Sequence, residues 1–483
     1  MLFNSYAFVF LFFPVCLILF YGSKRAGKAR TGRAALILLS LWFYGFVNPD
    51  NLPVLLGSMA VNYGIWLLMK RSRVFLWPGI GVNLLALFFF KYTGSAFVPL
   101  GISFFTFSQI AFLVEGYKGK LKNTGFGDYA LYITFFPKLI QGPIAFPEEM
   151  EEQAGRALRA PLDWEGFYRG LCLFILGLSK KVLLADVLGG AVDQGYGNLA
   201  ALNSWDSLIV MLSYTLQIYF DFSGYCDMAQ GTARMLGFSL PVNFDSPYRA
   251  ANIIEFWKGW HMTLTRFFTR YLYIPLGGSR RGRARTYGNI LIVFLVSGIW
   301  HGAGLSFVVW GMLHGVLYVV TRWRMDVKKD RKEALGRSKV QEPGKRLLEG
   351  GKHALCVAAT FLYVNAAWVF FRAPSLKEAF RLFSGIFSFR FGGINRELAG
   401  CFNLDEFWYV IKVLHIDRWQ YAHYILMAVI LAAAVCLVFF AETAAAAAER
   451  VRPCAFHAAV MAVLLVWCIL TFSNVSSFIY FNF

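Results

Sequence analysis

The sequence predicts an all-α, polytopic integral membrane protein with about 11 transmembrane helices around a central tunnel. Of its 483 residues, 58% are hydrophobic and only 16% are charged, well below the roughly 25% charged residues of soluble domains. Several apolar stretches reach the roughly 20 residues that a helix needs to cross a bilayer. They lie at 2–22, 34–47, 52–69, 74–90, 129–145, 167–188, 206–222, 288–320, 353–371, 421–441 and 455–473.

The basic residues, which give the chain a net charge of +19, are concentrated in short loops between the apolar stretches. Short loops rich in Lys and Arg face the cytoplasm. The charge therefore predicts an orientation in the membrane, and no nucleic-acid partner is expected. The basic clusters lie at 24–33, 70–73, 118–122, 280–285 and 322–352.

The first apolar segment, 2–22, is expected to remain as a helix because its positive charges follow the apolar run and no cleavage site is clear. The next two segments form a hairpin through the Asn- and Pro-rich turn 48–53. Segments 99–107 and 136–144 are apolar but broken by Pro and Gly. Since broken helices are tolerated where they line a cavity or are buried in protein, we interpret both as re-entrant or interrupted segments.

His301 lies in an apolar block whose two flanking loops, ending at Arg285 and resuming at Arg322, are basic. Both ends are expected in the cytoplasm, and the block is too short for two crossings of about 20 residues each. We therefore predict a tight hairpin with His301 near its apex, each limb rising about 25 Å at 1.5 Å per residue. The expected bend is marked by Gly298, Gly302 and Gly304.

The whole chain, 1–483, is predicted to be a single integral membrane domain. The stretch 322–352, with 11 Lys/Arg against 5 Asp/Glu, is predicted to be a basic cytoplasmic loop. The end of the chain, 474–483, is predicted to be an exposed extracytoplasmic tail. The eight cysteines contain no Cys-x-x-Cys pair, so neither a metal site nor a disulfide framework is expected.

Buried histidines are the first candidates for chemistry, because ionisable groups at membrane depth are costly and usually face a cavity or a partner. His301 follows Trp300 in one of the most apolar stretches, and the sequence predicts that His261 shares a helix face with Trp257 at i and i+4. A structural histidine is the alternative for each. No Walker, Rossmann or nucleophile-elbow motif is present. A buried histidine without such a motif fits general-base catalysis on a bound hydroxyl.

Three further polar residues fit a site less well. His314 would lie about 220° round an unbroken helix from His301, so the two would converge only if the helix bends. Asp221 and Asp227 are about 240° apart on a helix, which argues against a carboxylate dyad. Asp221 could orient a histidine or bind substrate hydroxyls, and a structural hydrogen bond is the favoured alternative.

Eight short motifs occur in a specific order and spacing between residues 97 and 372. They are PLGISFFTF at 99–107, FFPKLIQGPI at 135–144, QIYFDFSGY at 217–225, NFDSPY at 243–248, FWKGWH at 256–261, YLYIPLGG at 271–278, WHGA at 300–303 and WVFFR at 368–372. With this set the chain resembles the membrane-bound O-acyltransferase family, in particular its bacterial branch that O-acetylates alginate and other cell-surface polysaccharides.

The resemblance implies transfer of an acyl group, with acetyl favoured, from a cytoplasmic thioester to a hydroxyl of an extracytoplasmic cell-envelope polysaccharide. The donor would be acetyl-CoA or an acyl carrier protein, with no bound cofactor. The family's invariant histidine matches His301, which would be the general base, and its second active-site histidine matches His261, which would orient it or carry a proton. Substrate-binding or tunnel-lining roles are expected for Trp300, Trp260, Asp221, Asn243, Gly302 and His314.

The hexapeptide 478–483 resembles a C-terminal aromatic motif found in parts of this family and in small partners of its D-alanine-transferring relatives. Tyr480 is expected to dock a partner or to carry an acyl group, with an aromatic membrane anchor as the alternative. The resemblance further implies a multi-pass protein of the bacterial inner membrane. Its partners would be membrane lipid, the polysaccharide acceptor and an extracytoplasmic acyltransferase.

Two departures from the family pattern leave the acceptor open: Lys258 and Gly259 stand where relatives often carry two arginines, and Leu305 stands near a common aromatic position. One alternative is transfer of D-alanyl or another acyl group to a teichoic-type polymer. An alternative of a different class is a lipid or polymer transporter that relays protons through buried histidines, although no repeated halves are visible. A third is a scaffold that holds a secretion complex through its tail.

Overall fold

The computed structural model describes residues 1–25, 29–95, 97–121, 124–334, 346–404, 412–415, 419–474 and 478–479. Over these residues the chain consists of helices joined by turns, and no β-strand is present among them. The predicted all-α fold class is therefore confirmed.

The helices differ widely in length. From the N-terminus they are α1 (Phe13–Arg25), α2 (Ala29–Gly45), α3 (Asn51–Met69), α4 (Leu76–Tyr92), α5 (Ile102–Tyr117), α6 (Phe126–Thr134), α7 (Phe136–Leu139), α8 (Pro147–Ala157), α9 (Trp164–Ser179), α10 (Asp186–Gly197) and α11 (Ser204–Met235). They continue with α12 (Ile253–Gly259), α13 (Met262–Phe268), α14 (Arg283–His301), α15 (Leu305–Ala334), α16 (Arg346–Arg372), α17 (Leu376–Ile386), α18 (Arg396–Gly400), α19 (Ala422–Phe440), α20 (Ala444–Arg450) and α21 (Ala455–Leu470). Wider π-helical turns occupy Ala7–Phe12, Lys180–Ala185 and Thr269–Tyr273.

Within the described residues, six segments are long and apolar enough to cross a bilayer, so the chain is a multi-pass membrane protein. Other predicted apolar stretches fold as shorter helices; the stretch 129–145, for example, contains most of α6 and all of α7. The six spans are Ala7–Lys24, Asn51–Met69, Arg73–Tyr92, Leu305–Arg331, Gly350–Arg372 and Ala422–Phe440.

The Pro- and Gly-broken segments are interrupted helices, as predicted. α5 begins after Gly101, which has a positive φ of 70°, and α7 ends after four residues. A side chain on Gly101 would lie 2.9 Å from Ile140 Cα. Glycine is required here because it tolerates both the left-handed backbone and this close approach.

The chain folds into two compact units whose segments alternate along the sequence. Unit 1 comprises Met1–Leu183, Asp221–Val242 and Ala444–Asn482, and unit 2 comprises Leu184–Phe220, Asn243–Thr443 and Phe483. The single integral membrane domain predicted over 1–483 and the central tunnel both stay predictions.

Within unit 2, α14 and α15 form the predicted hairpin. The bend is 302–304, between the last residue of α14 and the first of α15. At the open end Arg283 Nη2 donates to Asp330 Oδ1 at 2.6 Å, and Tyr287 donates to Asp326 Oδ2 at 2.9 Å. These bonds join the start of α14 to the end of α15, so the two limbs are antiparallel.

The limbs of the hairpin are longer than predicted because both helices continue through their basic flanks. α15 has 30 residues, about 45 Å at 1.5 Å per residue. It includes the first part of the predicted cytoplasmic loop 322–352, and α16 begins within the same stretch at Arg346. Lys and Arg are good helix formers, so basic residues orient a helix in the membrane without ending it.

Glycines bring the limbs into backbone contact. A Cβ on Gly298 would lie 2.5 Å from the carbonyl oxygen of Phe307, and one on Gly311 would lie 2.5 Å from that of Phe294. Gly298 lies inside α14, so it sets the spacing of the limbs and does not form part of the bend.

Candidate active site

His301 is the last residue of α14 and is 3% exposed. Its ring is enclosed by aromatic side chains: the ring centroids of Trp310 and Phe371 each lie 5.0 Å away in edge-to-face geometry. Trp300, the preceding residue, lies 4.5 Å away. Edge-to-face packing on neighbouring rings fixes the orientation of the imidazole.

His261 lies directly before α13, in the left-handed conformation with φ 44° and ψ 51°. Its Nδ1 lies 3.1 Å from Asn243 Oδ1, which also accepts bonds from the backbone N–H and hydroxyl of Thr263 at 3.1 and 2.9 Å. Because an amide oxygen only accepts, Nδ1 of His261 carries the proton and Nε2 holds the lone pair. Asn243 therefore selects the tautomer in which Nε2 can act as a base.

A continuous cluster of buried aromatic rings connects the two histidine-bearing segments. Trp310, which contacts His301, stacks on Trp368 at 5.7 Å, and Trp368 packs on Trp260 at 4.8 Å. Trp260 directly precedes His261, so the structure brings these segments into one aromatic cluster within unit 2.

His314 lies in the same cluster and is completely buried. Its ring is 5.2 Å from both Trp257 and Trp310. In the described part of the chain, neither ring nitrogen of His314 has a hydrogen-bond partner, and the same holds for the indole N–H groups of Trp257 and Trp310. Buried polar groups are normally hydrogen-bonded, so these three side chains can bind a polar substrate atom. His301 ends α14 and His314 lies on α15 beyond the bend at 302–304, so the two histidines share Trp310 as a neighbour because the helix is broken between them, as the sequence required.

Gly302 has a structural reason to lack a side chain. A Cβ at this position would overlap the ring of Phe307, which packs against the bend. The predicted substrate-binding or tunnel-lining role of Gly302 stays a prediction.

A cavity of about 260 Å³ lies in unit 2, within the segments from 254 to 322. Its lining is largely apolar, and it includes Lys258 and Arg322 as cationic residues. Trp257 also lines the cavity and packs on His314, so its indole ring is in contact with both the cavity and the histidine cluster.

Comparison with known proteins assigns the chain to a family. The model of MBOAT, the membrane-bound O-acyltransferase family, matches residues 84–325. Over 435 residues the chain is 36% identical to a peptidoglycan O-acetyltransferase of Helicobacter pylori, with 80% of each protein covered. The chain belongs to the membrane-bound O-acyltransferase family.

Membership of the membrane-bound O-acyltransferase family makes the chain an acyltransferase. It is also 33% identical over 418 residues to the probable alginate O-acetylase AlgI of Pseudomonas aeruginosa, covering 80% of this chain and 75% of that protein. A teichoic acid D-alanyltransferase of Streptococcus thermophilus is 29% identical over 260 residues, covering 49% and 60%. The family match includes His261, His301 and His314.

Asp221 lies in unit 1, and the structure places it with a lysine and not with a histidine. Its Oδ1 accepts a bond from Lys181 at 2.7 Å, and Asp227 pairs in the same way with Lys180 at 2.6 Å. Each aspartate thus has its own cation, which agrees with the expected absence of a carboxylate dyad. The lysines themselves were missed, although two adjacent lysines inside an apolar stretch were a visible signal.

Tyr480 lies outside the described residues, so its predicted role stays a prediction. In the described residues no group of three or more His, Cys, Asp or Glu side chains is arranged to hold a metal ion.

The aromatic rings that enclose the histidines could be predicted only in part from the sequence. Trp260 and Trp300 were predicted, and Trp310, Trp368 and Phe371 were not.

Proposed function

We propose that this chain is a multi-pass acyltransferase of the bacterial inner membrane that transfers an acyl group, with acetyl favoured, to a hydroxyl of an extracytoplasmic cell-envelope polysaccharide. The observation that carries the proposal is the buried, ring-enclosed His301 in a family member whose relatives include a peptidoglycan O-acetyltransferase and a probable alginate O-acetylase. The donor is a cytoplasmic thioester, either acetyl-CoA or an acyl carrier protein.

In the proposed reaction the acceptor hydroxyl attacks the thioester carbonyl while His301 takes its proton. A C–O bond forms, the tetrahedral intermediate collapses, and the C–S bond breaks to release a thiolate. The proton held by His301 then passes to the thiolate, so that free thiol and ester are the products. Such a positioned base contributes about 10²–10⁴-fold to the rate.

His261 supports this step as the orienting group or second proton carrier. Its Nδ1 lies 3.1 Å from Asn243 Oδ1, so in the proposed reaction the lone pair on Nε2 accepts a proton or a hydrogen bond from a substrate hydroxyl. The indole N–H groups of Trp257 and Trp310, together with His314, supply further donors within the same cluster.

The 260 Å³ cavity is suited to bind the acyl donor. Its apolar lining suits an aliphatic arm, and Lys258 and Arg322 suit the phosphate groups that coenzyme A and the prosthetic group of acyl carrier proteins share. Trp257, at the boundary between cavity and histidine cluster, would face the thioester end.

The decisive experiment compares wild-type protein with His301→Ala and the matched control His353→Ala. His353 is exposed on α16, outside the cluster. In cells, polymer-bound ester is expected to fall to background with His301→Ala and to stay normal with His353→Ala, at equal amounts of protein. Ester that persists in His301→Ala while polymer export falls would support the transporter alternative.

Identification of the esterified acid separates acetyl transfer from the D-alanyl alternative, which the teichoic acid D-alanyltransferase relative keeps open. Mild base releases the ester, and chromatography then distinguishes acetate from D-alanine. Acetate is expected. Release of D-alanine would redirect the proposal to a teichoic-type acceptor without changing the role of His301.

A further inference from the structure

A buried ion pair in unit 1 contacts the final described segment of the chain. Lys181 and Asp221 have side-chain exposures of only 1% and 2%. While Asp221 Oδ1 accepts from Lys181, its second oxygen, Oδ2, accepts from the backbone N–H of Ile479 at 3.0 Å. One carboxylate thus binds a lysine and the peptide backbone of a segment 258 residues away.

Phe478 completes the contact and is fully buried. The Lys181 ammonium lies 4.5 Å from the centroid of its ring, within the range of a cation–π interaction. On another side, the ring of Tyr225 packs edge-to-face at 4.9 Å. The segment is therefore recognised by three kinds of contact at once: a charge-assisted hydrogen bond, a cation over a ring, and aromatic packing.

Stability alone does not explain this arrangement. The cost of removing two charges from water often exceeds their attraction, and a buried pair can usually be replaced by apolar residues without loss of stability. The pair does, however, supply directional contacts to a backbone N–H and to an aromatic ring, and apolar residues would supply neither.

We propose that Lys181, Asp221 and Tyr225 form a peptide-binding socket in unit 1 whose ligand is the aromatic segment Phe478-Ile479. The socket positions the end of the chain and leaves substrate recognition to unit 2. Because it is held by non-covalent contacts, a peptide with the sequence of 474–483 will bind in trans to a chain that lacks its own copy. This proposal does not depend on the proposed function, since binding is measured without turnover.

The test uses the chain truncated after residue 473 and a fluorescent decapeptide of 474–483, NVSSFIYFNF, with fluorescence anisotropy in detergent. Lys181→Met with Asp221→Leu removes the socket while keeping an apolar core. Lys180→Met with Asp227→Leu is the matched control, because this second pair joins the same two segments of unit 1.

We expect the peptide to bind the truncated chain and its control, and to lose at least about tenfold in affinity for the Met/Leu variant of the socket, since that variant removes a charge-assisted hydrogen bond and a cation–π contact. A peptide with Phe478→Ala should lose affinity similarly. Equal binding to the socket variant and its control would overturn the proposal, as would absence of binding to the truncated chain.

A second measurement uses the uncut chain and guards against misfolding of the truncated form. Carboxypeptidase digestion followed by intact-mass analysis reports how firmly the end of the chain is held. The socket variant should lose its final residues several-fold faster than wild type, and the Lys180/Asp227 control should match wild type. Identical rates in all three proteins would contradict the socket.

Discussion

His261 combines an unusual backbone conformation with a selected tautomer. Its φ of 44° lies in the left-handed region, which non-glycine residues rarely adopt and which Asn tolerates best among them. Because the following residues begin α13, this conformation turns the chain between α12 and α13. His261 therefore has two roles: its backbone turns the chain between α12 and α13, and its imidazole presents a basic nitrogen. Different substitutions can remove one role without the other.

We predict that His261→Asn keeps the fold and loses most of the acyltransferase activity, because Asn accommodates the left-handed backbone but has no ring nitrogen. His261→Val should lower the apparent Tm as well, since a β-branched side chain strains this conformation. Thermal unfolding by tryptophan fluorescence and ester formation in membranes measure the two effects. An active His261→Asn protein would exclude the imidazole from the reaction.

The sequence identifies the histidines but not the rings that enclose His301. Trp300 is adjacent and was predicted, whereas Trp310 and Phe371 come from α15 and α16 and meet the imidazole only in the folded chain. Asp221 was considered for the same site because it is acidic and borders an apolar span. Its real partner, Lys181, is 40 residues away, and no local pattern relates the two.

At the scale of elements, the α14–α15 hairpin depends on glycines that lie directly against the backbone of the opposite helix. We predict that Gly298→Ala lowers the free energy of unfolding by about 1–3 kcal/mol, as is typical of overpacking, because the added methyl group meets the Phe307 carbonyl oxygen at 2.5 Å. Gly288→Ala is the matched control on α14, since a methyl group there has no neighbour within 4 Å. It should be neutral or stabilise the helix. Chemical denaturation of the two variants in detergent measures the difference.

The short helix α20 belongs to unit 1 and is joined to other helices of that unit by Glu449, which pairs with Arg169 at 3.1 Å and with Arg234. The bond from Arg234 is the main reason that the pKa of Glu449 lies below its ordinary value. A carboxylate with a lowered pKa stabilises the fold above the pKa of unfolded Glu, about 4.3, and loses this contribution as the pH falls through the folded value.

We therefore predict that Glu449→Gln lowers the apparent Tm at pH 7. The difference in apparent Tm between variant and wild type should become smaller as the pH falls below about 4. Glu152→Gln is a suitable control, because its pair with Arg156 is highly exposed and joins neighbouring turns of one helix. Thermal melts across the pH range provide the measurement. A difference in apparent Tm that does not change with pH would contradict a stabilising role for the charge of Glu449.

The bend and the broken segments could be predicted from the sequence because Gly and Pro act locally on the backbone. Helix lengths could not, because hydropathy marks where a segment becomes polar and not where its hydrogen bonds end. α15 shows the difference: its apolar part ends near Arg322, and its helix continues for 12 more residues, to Ala334.

At the scale of the whole molecule, the six spans and the hairpin define a topology that can be tested. We predict that cysteines placed at Ala284 and Asp330, both exposed at the open end of the hairpin, react with a membrane-impermeant maleimide from the cytoplasmic side. A cysteine at Ala303 in the bend should stay unreactive from that side. The eight native cysteines are first replaced by serine. Labelling of 284 and 330 from opposite sides would contradict the hairpin.

The glycine contacts between α14 and α15 also limit how the protein can move. Because the limbs meet at Gly298 and Gly311 with no room for a side chain, sliding one limb along the other would bring bulkier residues to these contacts and cause a clash. Helix register shifts take microseconds to milliseconds, whereas side-chain rotations are faster. Rotation of the Trp310 and Phe371 rings, which pack on His301, is therefore a faster way to expose the imidazole than a shift of either helix.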